Sequence, residues 1–185
     1  RGYNVMLLDL SGCGDSHGHF SDASWGLWRQ DVECALEAVS AETRGPVMLW
    51  GVRLGAMLAC DLDTGRPNIE RVLMWQPVLN GEQHVDEFLR FELAGQVMRG
   101  ESGLNPPELW KQLRSGRSLE VAGYVFSPIL ALEVSKVRLG DLIPACQVTW
   151  LDIGSSQVDS PSVASSNSGS MRGRSASDSS SLASR

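Results

Sequence analysis

PVMLWGVRLGAMLAC, residues 46–60, decides how the rest of the chain is read. An apolar run, Val47 to Trp50, stops at Gly51, and a second begins at Leu54 and continues through Ala56, Met57, Leu58 and Ala59. A short apolar run before a glycine reads as a buried strand, and a longer one after it as a helix. Between them lies Gly51-Val52-Arg53-Leu54-Gly55, which has the frame of a nucleophile elbow, Gly-x-Ser-x-Gly, the sharp turn that lifts a nucleophile between strand and helix. The glycines stand where the motif needs them, but the nucleophile position holds Arg53. A guanidinium stays protonated and offers a cation and hydrogen-bond donors; it does not attack a carbonyl.

Working outward, residues 3–10 (YNVMLLDL) read as a buried parallel strand. The glycine-rich loop that follows, residues 11–19, lies at that strand's carboxyl end, where open α/β sheets bind ligands. His17 stands where a dinucleotide fingerprint would need its third glycine, and no Gly-Lys-Ser/Thr follows to make a Walker A loop. Cys13, Asp15, His17 and His19 match no common zinc spacing, so a solvated turn is expected there and no metal or other cofactor. A helix is expected over residues 23–39, capped by Ser21, Asp22 or Ser24. Trp25, Trp28, Val32, Ala35, Leu36 and Val39 line one face of it. A helix after the elbow to about residue 63 and a strand over residues 69–75 complete the alternation strand, helix, strand, helix, strand. That order predicts an α/β fold with a mostly parallel sheet and helices on both faces.

The alternation then pauses. Residues 82–98 carry Val85, Phe88, Leu89, Leu93 and Val97 at helical spacing. Asn105, Pro106 and Pro107 open a second helix, and Ser127-Pro128 a third that ends near residue 140. A short extended piece through Gly123 separates them. A helical insertion over about residues 80–142, between two sheet strands, reads as a lid over a site at the sheet edge. Residues 145–153 make a last strand with Asp152 at its carboxyl end. The partial α/β domain is therefore expected over residues 1–153. Residues 154–185 are dominated by serine, lack the large apolar side chains needed to bury a core, and read as a disordered tail.

With 185 residues and 42% apolar composition the chain can bury one proper core. A net charge of −6 without a dense basic patch disfavours nucleic acid as a partner. No apolar run approaches the roughly 18 residues of a membrane span, and no signal peptide is visible. Cys13, Cys34, Cys60 and Cys146 are widely spaced; Cys34 and Cys60 fall on apolar helix faces and read as buried thiols.

Three stretches carry a resemblance. Asp9-Leu10-Ser11-Gly12-Cys13-Gly14-Asp15-Ser16 looks like the D-x-x-G-x-G-x-S segment of the α/β-hydrolase superfamily, Gly51 to Gly55 stands at its elbow, and residues 71–78 look like the strand after it, with a helical cap next. The wording of GCGDS (residues 12–16), LWGVRLGAMLA (residues 49–59) and WQPVLNGEQHVDEFLR (residues 75–90) resembles more narrowly the second of two hydrolase families associated with the bacterial exosortase A sorting system. The resemblance implies a cytoplasmic protein acting on an ester, thioester or similar acyl bond, in a setting that accompanies exopolysaccharide production. In such enzymes a serine attacks, a histidine takes its proton and an acid orients the histidine.

Against that pattern, Arg53 replaces the serine and Asp152 is the best candidate acid, with Asp159 behind it. No histidine follows His84. The superfamily's first strands and its final strand with the late histidine have no counterpart, which suggests a fragment. Serine-type acyl transfer is therefore not expected. Candidate ligand contacts are Arg53, the backbone N–H of Leu54, Gln76 and His84. Three roles stay open for Arg53: clamp in an enzyme of altered mechanism, anchor for an anionic or acylated small molecule in a non-catalytic binder, or partner of an internal carboxylate such as Asp9 or Asp152, only holding the turn. Asp9 and Ser16 are expected to shape and brace their loop, and Trp110 to pack the insertion. The oligomeric state is not readable from the sequence.

Overall fold

The computed structural model describes residues 2–43, 45–62, 65–66, 68–100, 105–142 and 144–153. The serine-rich stretch 154–185, with Asp159, lies outside the described residues.

The first helix, α1 (Trp25–Glu42), begins where Ser24 accepts a hydrogen bond from the Leu27 N–H at 3.0 Å, so Ser24 is the cap among the three candidates. Its buried face is Trp25, Trp28 and Leu36. Both indoles are core residues with satisfied N–H groups: Trp25 Nε1 donates to Asp61 at 2.6 Å and Trp28 Nε1 to the Ser11 carbonyl at 3.1 Å. Cys34, expected to be a buried thiol, is exposed, because it lies two residues, about 200° of helix, from Leu36 and so faces away from the buried stripe. Cys60 is buried as expected, and burial foremost pushes its thiol up to about 11.

β1 (Val47–Val52), the turn at Arg53 and α2 (Leu54–Cys60) follow. β2 (Ile69–Trp75) pairs parallel with β1, placing Trp50 beside Leu73 and Val52 beside Trp75. Next come α3 (Gly81–Met98), α4 (Pro106–Arg114), the hairpin of β3 (Leu119–Val121) and β4 (Tyr124–Phe126), and α5 (Pro128–Val134). β5 (Gln147–Leu151) then returns to pair parallel with β2, giving the sheet order β1-β2-β5. The fold is α/β, with a parallel three-stranded sheet and five α-helices among the described residues.

The sheet's two faces differ. Leu49, Val72, Met74 and Trp150 pack with Ala56, Met57 and Leu58 of α2. Leu36 of α1 joins Val47, Leu49 and Ile69 in an adjoining cluster on the same side. Met57 is fully buried, worth about 1.5–3 kcal/mol over leaving it in water. On the other face Met48, Trp50 and Val52 are exposed, and Trp50 stacks on Trp75 with ring centroids 5.7 Å apart.

The helical segment shares the sheet's core: Val85, Leu89, Leu109, Leu113, Leu130 and Val134 belong to the same cluster as α2 and β2. Its starts follow local chemistry. Asn80 accepts from the N–H groups of Glu82 and Gln83, Asn105 from Glu108, and Ser127 from Leu130. Prolines stand in the first turns of α4 and α5. α5 ends at Val134, short of the expected residue 140, because the following backbone turns back onto the entry of α3. Gly81 N–H donates to Val137 O, and Leu139 N–H to Leu79 O, each at 3.0 Å.

The expected strand over residues 3–10 does not form. Tyr3 and Leu7 remain 87% and 92% exposed, and from this run Leu10 alone packs against the core. The loop after it is tied to α1, not to the sheet. Ser11 donates to Asp31 through both its N–H (2.8 Å) and its hydroxyl (2.9 Å), and no described strand lies along the outer edge of β1 to bridge the gap. A strand's backbone groups need a neighbour, and apolar composition does not supply one.

Candidate functional site

The elbow is built as its spacing predicted. Arg53 caps α2 at φ 52°, ψ −117°, a backbone region that side-chain-bearing residues rarely enter. Three backbone hydrogen bonds hold it there: Arg53 N–H donates to Trp75 O at 3.0 Å, while its carbonyl accepts from Ala56 and Val78 at 3.2 Å each. Gly51 makes the turn possible. A Cβ at that position would stand 2.4 Å from both Ala56 Cα and the Gly55 carbonyl oxygen.

The fixed backbone aims the guanidinium at α3. Arg53 Nη2 donates to Glu87 Oε2 at 3.2 Å, with both side chains about half exposed. Arg53 is thus paired with a carboxylate, as one of its three open roles has it, but with Glu87 and not with Asp9 or Asp152. Asp9 stays in its own loop, accepting from the Asp15 N–H at 3.2 Å, and its carbonyl takes the Ser16 hydroxyl. Asp152, just beyond β5, is exposed, and among the described residues no hydrogen bond or ion pair reaches its carboxylate. Gln76 has φ 45°. Its N–H donates to Leu151 O at 2.8 Å and its side-chain amide to Ile153 O at 3.3 Å, so it joins the ends of β2 and β5. Leu54 is the first residue of α2, half-buried beside Arg53.

His84 is brought to the elbow by α3. Its Nδ1 is buried without a hydrogen-bond partner, 3.9 Å from the Glu87 oxygen that Arg53 holds, a separation too long for a hydrogen bond. Burial foremost, then the Arg53 charge, lowers the His84 pKa from its ordinary 6.5, while Glu87 works against them. Arg53, Glu87 and His84 therefore form one cluster. Glu87 was not singled out from the sequence, although its three-residue offset from His84 on a helix places the two side by side. Among the described residues no group of three or more His, Cys, Asp or Glu side chains comes together to hold a metal, and no helix is long and apolar enough to cross a membrane.

The lowered His84 pKa sets a direction for stability. As pH falls from the ordinary value toward the lowered one, the unfolded chain takes up a proton that the folded chain refuses, so stability is lost on acidification. Urea unfolding measured from about pH 8 to about pH 5 should therefore fall less steeply in His84→Gln than in the wild type. Equal slopes would mean that His84 is not strained by its burial.

No protein-family model and no curated protein matches the sequence. Solved structures do match. Alpha/beta hydrolase domain-containing protein 10 from mouse superposes with a TM-score of 0.52 at 20% identity, covering 78% of this chain and 54% of the mouse protein. A hydrolase candidate from Agrobacterium vitis S4 gives 0.53 at 17% identity, covering 77% and 53%. The chain thus spans just over half the length of each. At these identities the likeness is one of fold, and it agrees with the parallel strands, the elbow and the helices described above: the chain carries part of an α/β-hydrolase fold.

Proposed function

We propose that this chain uses the hydrolase elbow to hold an anionic or acylated small molecule through Arg53, as a hydrolase-derived binding protein and not as a serine hydrolase. The observation that carries the reading is the backbone of Arg53. A bulky residue kept at φ 52°, ψ −117° stores about 1–3 kcal/mol of strain that glycine would avoid. Strain of that size is found where a side chain is held for a purpose. A guanidinium there supplies paired donors suited to a carboxylate or phosphate. Helices α3 to α5 act as the lid of the site in this reading. The sequence resemblance supplies the finer expectations: an ester- or thioester-bearing ligand, a cytoplasmic setting and a link to exosortase and exopolysaccharide systems.

A second reading, hydrolysis by an altered mechanism, is favoured by the placement of His84 Nδ1 toward Glu87, which leaves Nε2 as the nitrogen for proton transfer. In that reading Glu87, 3.9 Å from His84 Nδ1, would have to close on it to orient the imidazole.

Arg53→Gly separates function from stability. Relief of strain, less the added chain entropy of glycine and the lost surface ion pair, leaves a gain of about 1 kcal/mol in urea unfolding. The same variant should lose the rise in melting temperature that phosphate or succinate gives the wild type over chloride at equal ionic strength. A variant still protected by these anions would sink the anchor reading. Turnover of a short-acyl nitrophenyl ester above a heat-killed control, lost in His84→Gln, would establish the catalytic one instead.

A further inference from the structure

The Arg53 guanidinium is not vacant: the Glu87 carboxylate holds it. We propose that Glu87 is a resident stand-in for the ligand's anion, so that the elbow takes a carboxylate or phosphate group by exchange with Glu87. This inference rests on the reading of Arg53 as the ligand anchor.

Geometry favours exchange over a permanent strap. The Arg53 backbone is fixed by three hydrogen bonds, which restricts the space its guanidinium can sweep. Glu87 is delivered into that space by α3, whose start is fixed by the Asn80 cap and by the Gly81 N–H bond to Val137 O. The contact between them is a single donor–acceptor pair at 3.2 Å, with side-chain exposures of 52% and 53%. Exposed pairs of this kind hold weakly. An oxyanion that engages both guanidinium nitrogens in parallel holds more strongly. Glu87 loses little on release, because its side chain is already half in water. The buried Nδ1 of His84 faces the same oxygen and stays largely uncharged near neutral pH, so it does not compete as a second cation.

A carboxylate in this place also defines the ligand class. The group that displaces Glu87 must present oxygens as Glu87 does, which a ligand carboxylate or a phosphate monoester can. Neutral esters and amides lack the charge to exchange with it.

The test is an NMR titration of backbone amides with succinate and with inorganic phosphate, at constant ionic strength, in wild type, Glu87→Gln and Arg53→Ala. Removing the resident carboxylate should tighten anion binding about two- to fivefold, while Arg53→Ala abolishes it. Urea midpoints of wild type and Glu87→Gln should agree closely, since Glu87 is a surface residue. Binding lost in Arg53→Ala but unchanged or weakened in Glu87→Gln would overturn the exchange and leave the anchor standing. Binding retained in Arg53→Ala would overturn both. Tightening toward phosphate alone would narrow the class to phosphate esters, and toward succinate alone to carboxylates; either supports the exchange.

Discussion

Gly51→Ala is expected to destabilise the protein by at least about 3 kcal/mol, whereas Gly55→Ala, four residues on, should be neutral or slightly stabilising. The two glycines frame the same motif and look equivalent in sequence, but their surroundings differ. A Cβ at Gly51 would meet Ala56 Cα, the Gly55 carbonyl oxygen and Ala56 N at 2.4–2.5 Å. All three are backbone atoms of α2, so no side chain can rotate away. Relief requires α2 to move off β1. That motion would disturb the buried faces of Ala56 and Met57 and break the Ala56 N–H bond to Arg53 O. At Gly55 a Cβ meets nothing within 4 Å, and the residue lies in the first turn of α2, where alanine is the better helix former. Urea unfolding of both variants measures the difference. Comparable midpoints would mean that the close approach of strand and helix, on which the elbow geometry depends, is not as tight as described.

That contrast shows what the sequence carried. Its local signals were legible: the apolar run to Gly51, the caps at Asn105 and Ser127 with their prolines, and the run of residues 69–75 all became the elements they predicted. Such signals act within a few residues, so composition and spacing report them directly. Residues 3–10 have the same apolar character as β2 but form no strand, because strand pairing depends on which backbone lies alongside. Cys34 is exposed because it stands two residues, about 200° of helix, from Leu36, which turns the thiol away from the buried stripe. At the site, Arg53 was visible as a departure from a motif and His84 as a nearby histidine. Their common partner was not. Glu87 resembles any other charged residue on a helix until α3 is laid across the elbow. Asp152 was chosen for its place after a strand, and it holds that place.

The placement of α3 leads to the second large effect. Gly81→Ala should cost about 3 kcal/mol or more and should also tighten anion binding, by drawing Glu87 off Arg53. A Cβ there would lie 1.9 Å from the Val134 carbonyl oxygen and 3.1 Å from that of Val137. The same backbone accepts the Gly81 N–H at 3.0 Å, and Asn80 pairs with Arg138 in an isolated bridge. Glu82 adds an ion pair to Arg138 at 3.2 Å. The start of α3 is thus seated directly on the residues after α5. An added methyl must lift it by more than an ångström to reach ordinary van der Waals contact. His84 and Glu87 lie within the first two turns of α3, so a lift at Gly81 displaces both relative to the elbow, whose backbone is held by β2 and cannot follow. Gly95→Ala on the same helix is the control. Its Cβ meets the Arg99 guanidinium at 3.1 Å, whose Nη2 holds Glu92 at 3.0 Å, so that side chain must give by a few tenths of an ångström while keeping the pair, and stability should change by no more than about 1 kcal/mol in either direction. Urea unfolding and phosphate titration of the two variants separate the cases. Loss of stability with anion affinity unchanged in Gly81→Ala would show that the position of α3 does not govern the site. Loss of stability with tighter anion binding in Gly81→Ala, and neither change in Gly95→Ala, would tie the seat of α3 to the chemistry at Arg53.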